Sequence, residues 1–340
     1  MRRYPLIAVA CVAWVAGCGS RTGLLVPLSE GEPGESPGMS SGDRARAPDD
    51  GGSSPGDAPV PRDALPPIDV ASPARGAMGD CPDAAATLVY VVSKDNLLMS
   101  FDPPTATFTT IGQISCPGTS GLEPFSMAVD RTGIAYVLFA RSADYSAGKL
   151  FRVSTATASC RSTSFLSGQH GFAMTFGMAF VKDTTGAGET LYVAEGEPPN
   201  TTSVAPCPGR RLATIDIGTF AVSVVGVLDP TVCSPELTGT GAGDLFGFYA
   251  LSSNDSAIGQ IDKTTARLNS ESRLNGVAQT TNGSGAWAFG FWGGDFFTFT
   301  APSTSSVVTR FRPTDGSIVT VGQTAETIVG AGVSTCAPQR

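Results

Sequence analysis

From residue 87 onward the apolar positions fall in short runs bounded by turn formers. The runs at 87–92, 134–139, 190–194, 245–251 and 296–300 are rich in β-branched and aromatic residues. No stretch keeps a helical spacing over ten residues. The pattern predicts an all-β fold of many short strands.

One unit recurs five times. An apolar and a polar residue are followed, after two spacers, by Thr or Asp, and after two more by a mostly apolar residue. The copies are Phe101-Asp102-x-x-Thr105-x-x-Phe108, Val153-Ser154-x-x-Thr157-x-x-Cys160, Ile215-Asp216-x-x-Thr219-x-x-Val222, Ile261-Asp262-x-x-Thr265-x-x-Leu268 and Phe311-Arg312-x-x-Asp315-x-x-Ile318. Phe101 and Phe311 are 210 residues apart in four steps, a mean period of about 52. Each copy reads as two strands joined by a tight turn whose polar side chains satisfy backbone groups.

Small residues keep the same beat inside apolar runs: Ala128, Ala179, Gly239, Gly290 and Gly330. They suit strands that crowd around an axis. The Gly239-Thr240-Gly241-Ala242-Gly243 stretch imitates a dinucleotide loop, but a strand follows it where a helix is required, so it reads as an inner strand and its turn. Units of this size, with four strands each, resemble a β-propeller over residues 87–340. The first unit, 87–111, lacks an inner strand, and the run from Glu326 to Ser334 is an inner strand with nothing after it. Pairing the two closes a five-bladed ring and removes exposed sheet edges. The alternatives are a two-sheet sandwich and a sixth blade disguised within 181–235.

The front of the chain is a different material. Arg2 and Arg3 precede an apolar run from Leu6 to Ala16, too short for a bilayer core that takes ~20 residues. A charged start, a short apolar run and small residues form a secretory signal. The run ends Val15-Ala16-Gly17-Cys18, which resembles the lipobox of bacterial lipoproteins. The resemblance implies cleavage before Cys18, which would carry diacylglycerol and an N-acyl chain. It also implies an envelope location: Gly19 follows, not the Asp associated with inner-membrane retention, which points to the outer membrane, on its periplasmic or surface face. Residues 19–80 hold ten Pro, eleven Gly and eight Ser without apolar period, so a disordered stalk is expected. The expected domains are thus a signal peptide at 1–17, an anchored linker at 18–80 and the propeller at 81–340.

Composition narrows the chemistry. Acids outnumber bases 30 to 22, so no basic face for nucleic acid is expected. The lone His170 excludes a histidine-cluster metal site, and no Gly-x-Ser-x-Gly elbow lies in the strand-rich region to give it a serine. Six cysteines remain once Cys11 leaves and Cys18 is acylated, with 15 connectivities open to them. The ring arrangement pairs Cys81 with Cys336, Cys207 with Cys233 and Cys116 with Cys160.

Glu123, Glu236 and Glu326 each stand just before an inner strand, near one channel mouth. They are solvated strand-entry residues, or a group that could hold Ca²⁺ or work as acid and base on a glycoside. No other cofactor or metal is expected, and no catalytic residue can be named. Asp130, Asp183, Asp244 and Asp295 recur at the following turns, as routine turn formers. Trp287, Phe289, Phe291, Trp292, Phe296 and Phe297 could form a sugar-stacking platform, or be buried by alternation between blades. The expectation is a membrane-anchored binding or scaffold module for a protein or glycan. The second reading is a propeller hydrolase or lyase.

Overall fold

The computed structural model describes residues 88–141, 143–196, 206–277 and 285–340. The lipobox, the linker and Cys81 lie outside the described residues.

In chain order, β1 (Val89–Ser93), β2 (Leu97–Asp102) and β3 (Thr107–Gln113) begin the first blade. The second blade is β4 (Glu123–Val129), β5 (Ile134–Ala140), β6 (Gly148–Ser154) and β7 (Cys160–Ser162). The third is β8 (Phe176–Lys182), β9 (Glu189–Glu195), β10 (Arg211–Ile215) and β11 (Val222–Val227). The fourth is β12 (Glu236–Gly239), β13 (Leu245–Ala250), β14 (Ser256–Ile261) and β15 (Leu268–Leu274). The fifth is β16 (Ala286–Trp292), β17 (Asp295–Ala301), β18 (Ser306–Arg312) and β19 (Ser317–Thr324). Last comes β20 (Ile328–Val333), which pairs antiparallel with β1 and completes the first blade. The register sets Val89 opposite Val333, Tyr90 opposite Gly332 and Val92 opposite Gly330. The result is five four-stranded sheets, a five-bladed propeller. The region 181–235 contributes to one blade, not two.

Period-two alternation builds the core. Val89 and Val91 point into a cluster shared with Phe297, Phe299 and Val308 of the fifth blade. Tyr90 and Val92, on the other face of the same strand, pack with Met127, Val129 and Val137 of the second. Each of the five apolar clusters fills one gap between neighbouring blades.

The ring is tight enough at its axis to exclude Cβ atoms. One added to Gly239 would run into the Phe180 carbonyl oxygen, and one on Gly177 into that of Pro235. On Gly330 it would lie 2.9 Å from the Met127 nitrogen, and on Gly290 2.5 Å from Val333 Cγ2. Glycine is needed at these positions for close approach of neighbouring strands.

The repeated turn has a feature that its residue types hide. The residue after the Thr or Asp is left-handed in all five copies: Ala106, Ala158, Phe220, Ala266 and Gly316 have φ of 53, 58, 59, 61 and 70°. At Asp262 the carboxylate accepts from the Thr264 and Thr265 nitrogens and the Thr264 hydroxyl, which lowers its pKa to about 2.

Cys116 is bonded to Cys160, bridging the first and second blades, and Cys207 to Cys233 within the third-blade region. Cys336 is also in a disulfide. Structural disulfides belong to an oxidising, extracytoplasmic compartment. Among the described residues, no helix is long and apolar enough to cross a membrane.

Candidate functional site

The acids near the channel do not form one site. Glu123, Glu236 and Glu326 stand at the same end of their inner strands, yet each has a different environment. Glu123 is half-exposed and lies 3.7 Å from Lys94 Nζ. Glu326 is half-buried, and its backbone nitrogen donates to the Thr324 hydroxyl. Glu236 is only 5% exposed and accepts a 2.8 Å hydrogen bond from Ser126 Oγ, from a blade that is not its neighbour. Burial pushes its pKa well above the usual carboxylate range, against the lowering effect of Ser126. Glu236 is therefore not a solvated strand-entry residue. Among the described residues, no three His, Cys, Asp or Glu gather to hold a metal ion.

His170 is exposed in a short 3₁₀ turn with φ of 52°. Its carbonyl, with that of Gly171, accepts from the Arg211 guanidinium. Arg211 is itself paired with the buried Glu195.

The recurring aspartates diverge. Asp130 Oδ1 accepts from the nitrogens of Thr132 and Ile134 and from the Thr132 hydroxyl, and so closes its turn. Asp183 accepts from Thr190 Oγ1 at 2.7 Å. Asp295 is not a turn former: both its oxygens accept from Arg312, at 3.0 and 2.9 Å.

The channel end that carries these inner turns is covered by residues 334–340. Thr335 donates its hydroxyl to Glu189 at 2.7 Å. A Cβ on Gly241 would strike the Thr335 carbonyl oxygen, and Gly293 N donates to the Pro338 carbonyl at 2.7 Å. This segment thus touches the third, fourth and fifth blades in turn. Nothing in its sequence pattern announced the covering role.

Beside that segment, between the fourth and fifth blades, a cleft of about 460 Å³ opens to solvent. The gap between these blades holds the smallest of the five apolar clusters among the described residues. Its cluster comprises seven buried side chains among the described residues: Phe248, Ile258, Leu274, Val277, Phe289, Phe296 and Phe311. The local sequence explains the opening. Gly293 and Gly294, with φ of 62 and 84°, form a two-residue hairpin turn between β16 and β17. The fourth blade uses a longer turn, 240–244, knitted by Asp244 N donating to Thr240 Oγ1 at 3.0 Å. The short turn leaves Phe291 near the surface.

Phe246 and Phe291 are half-buried. Their rings lie 6.4 Å apart, within 16° of parallel. Phe296 braces both edge-on, at 4.9 and 5.2 Å. Beside Phe246, on the same face of the fourth blade, stand hydrogen-bonding groups, since Gln260 is its cross-strand partner and Ser270 that of Gln260. Gln260 Nε2 donates to Asp244 Oδ1 at 3.0 Å, and Ser270, Ser272, Gln339 and Arg340 complete the rim. Among the described residues, Asp244 is the one acidic side chain in the lining. The suspected aromatic platform is therefore split. Phe289, Phe296 and Phe297 are buried, while Phe291 and Phe296 line the cleft. Phe246 and Gln260 were not singled out from sequence, because only the stacking of the fourth blade on the fifth brings them to Phe291, whereas Phe311 of the fifth repeat copy shares a sheet with Phe291.

No family model matches the chain, and no curated protein matches it. Solved structures do resemble it. A chain of a nidogen/laminin complex aligns with a TM-score of 0.43 and 9% identity, covering 72% of this chain and 97% of that one. A mutant Aleuria aurantia lectin in complex with α-methyl-L-fucoside gives 0.38 and 13%, covering 70% and 78%. A GH43_1 enzyme from Xanthomonas citri gives 0.40 and 13%, covering 66% and 81%. At this distance the propeller assignment rests on the chain's own strand order, and the ligand on its own side chains.

Proposed function

We propose that this protein is an extracytoplasmic binding module on a lipid tether, with the propeller presented to a glycan or protein partner in the cell envelope. In this reading Cys18 is acylated, residues 19–80 are the stalk, and Cys81 closes the ring covalently through Cys336. The disulfides support the compartment. Several acyl chains give the stable membrane hold that one cannot.

The observation that carries the binding role is the cleft between the fourth and fifth blades. It is preformed on rigid strands, amphipathic and of ligand size, since small-molecule sites span ~300–1,000 Å³. One acidic side chain among the described residues of its lining favours binding over glycoside hydrolysis, which uses two carboxyl groups on either side of the bond.

The test uses the full acylated protein in detergent micelles, incubated with purified envelope polysaccharides and with defined envelope proteins. Saturable binding without cleavage of the partner supports the reading. Release of new reducing ends supports the hydrolase instead, and absence of any saturable partner overturns the module. Cys18→Ala tests the tether separately: the variant should leave the detergent phase, and its retention there would refute the anchor.

A further inference from the structure

We infer that the occupant of the cleft between the fourth and fifth blades is a neutral saccharide, with one sugar face on Phe246 and Phe291 and its hydroxyls on Asp244 and Gln260. This rests on the binding-module reading and names the ligand class and the site.

A pyranose has two unlike surfaces. Its axial C–H groups make an apolar patch, and its rim carries hydroxyls that both donate and accept. The cleft offers both kinds of surface: aromatic rings from the two blades and, beside Phe246 on the fourth, hydrogen-bonding side chains. Phe246 and Phe291 offer half-exposed ring surface, and the buried Phe296, Phe311 and Ile258 hold that wall in place. Rigid aromatic surface loses little side-chain entropy on binding.

The polar side is preset. Gln260 commits its amide nitrogen to Asp244, which fixes the carboxamide plane and leaves Asp244 Oδ2 as an acceptor for a hydroxyl. Among the described residues, Gln260 Oε1 accepts from the Ser270 hydroxyl alone, at 3.5 Å, the limit of a hydrogen bond. Two acceptors with serines beside them match adjacent hydroxyls. Such a site rejects analogues that lack a hydroxyl, because its polar groups are then left unpaired.

Charge selects the neutral member of the class. A uronate would bring its carboxylate towards Asp244. Arg310 and Arg312 lie on the far face of the fifth blade, against the buried Asp295, and Lys263, near Gly243, donates to the Lys182 carbonyl. Among the described residues, Arg340 is the one cationic side chain in the lining, and it stands exposed at the rim.

The test is ligand-observed NMR on the full protein in micelles, with a panel of neutral methyl glycosides and oligosaccharides, the matching uronates and a set of apolar peptides. At least one neutral saccharide should bind, with its ring C–H protons receiving most of the saturation transfer. Gln260→Ala and Phe291→Ala should each weaken it by tenfold or more, and Asp244→Asn, which keeps the shape, by a similar factor. Leu166→Ser, on an exposed loop outside the cleft, should leave it unchanged. Uniform affinity across the three cleft variants overturns the site while the module stands. Binding of uronates or peptides alone, or of no panel member, overturns the saccharide. A saturable envelope protein in the absence of any saccharide would separate failure of this inference from failure of the module.

Discussion

The Ser126 hydroxyl on the second blade donates a 2.8 Å hydrogen bond to the Glu236 carboxyl on the fourth, linking two blades that are not neighbours in the ring. Both residues are buried, and burial raises the Glu236 pKa well above its ordinary value. The folded state therefore holds a proton that the unfolded chain releases near pH 4.3. Stability from this group is fully present below that pH and is lost as pH rises through the folded pKa. Glu236→Gln removes the ionisation. Relative to wild type, the variant should gain about 3 °C or more in Tm between pH 5 and pH 9, about 1 kcal/mol for a domain of this size. Thermal melts across that range decide it. A constant offset between the two proteins would mean that Glu236 does not titrate as a buried acid.

Ring closure depends on glycines whose neighbours are backbone atoms. Gly239→Ala places a methyl against the Phe180 carbonyl, and a carbonyl on a paired strand cannot swing aside. Overpacking of this kind costs ~1–3 kcal/mol and occasionally more; about 3 kcal/mol is expected. Gly186→Ala is the comparison. Its φ is 79° with nothing within 4 Å, so only left-handed strain remains, about 1–2 kcal/mol. Urea titration should rank Gly239→Ala as the more damaging substitution, and the reverse order would count against the tight axis.

The architecture was legible because propeller geometry writes itself along the chain at a fixed interval. The five copies from Phe101-Asp102 to Phe311-Arg312 mark one turn per blade. The unpaired strands at the two ends left closure as the way to satisfy both edges, and Val89 opposite Val333 is that closure. The site was less legible. Phe291 and Phe296 stood out as aromatics, but Phe246 and Gln260 lie on another blade, and no local pattern encodes which faces meet loosely. Glu236 looked like Glu123 and Glu326 in sequence. What separates them is burial against Ser126, 110 residues away.

The disulfides should contribute amounts that rise slowly, as the logarithm of the loops they close. Cys116–Cys160 spans 44 residues and Cys207–Cys233 spans 26. The chain-entropy account gives about 4 and about 3.5 kcal/mol respectively. Double Cys→Ser variants measured by denaturant unfolding should lose amounts of that order. Peptide mapping without reduction should find Cys336 bonded to Cys81, as the covalent closure requires. A different partner for Cys336 would remove the covalent part of the ring argument and leave the β20–β1 pairing intact.

The Glu195–Arg211 pair tests how a buried ion pair supports a loop. Glu195 is 4% exposed and accepts from the backbone nitrogens of Ala173 and Arg211 as well as from the guanidinium. Arg211 then reaches the carbonyls of His170 and Gly171 and lies 5.3 Å from the centre of the Phe172 ring. The pair therefore fastens the 168–173 loop to β9 and β10. Removing one partner leaves the other charge buried and unpaired, which costs ~3–5 kcal/mol in dry sites. Arg211 is a quarter exposed, so about 2–3 kcal/mol is expected for Glu195→Gln. The loop should open before the ring does. Limited proteolysis should cut the variant near His170 while the cleft on the opposite end of the blades keeps its ligand affinity. Equal loss of protection at both ends would show that the pair supports the whole ring and not this loop.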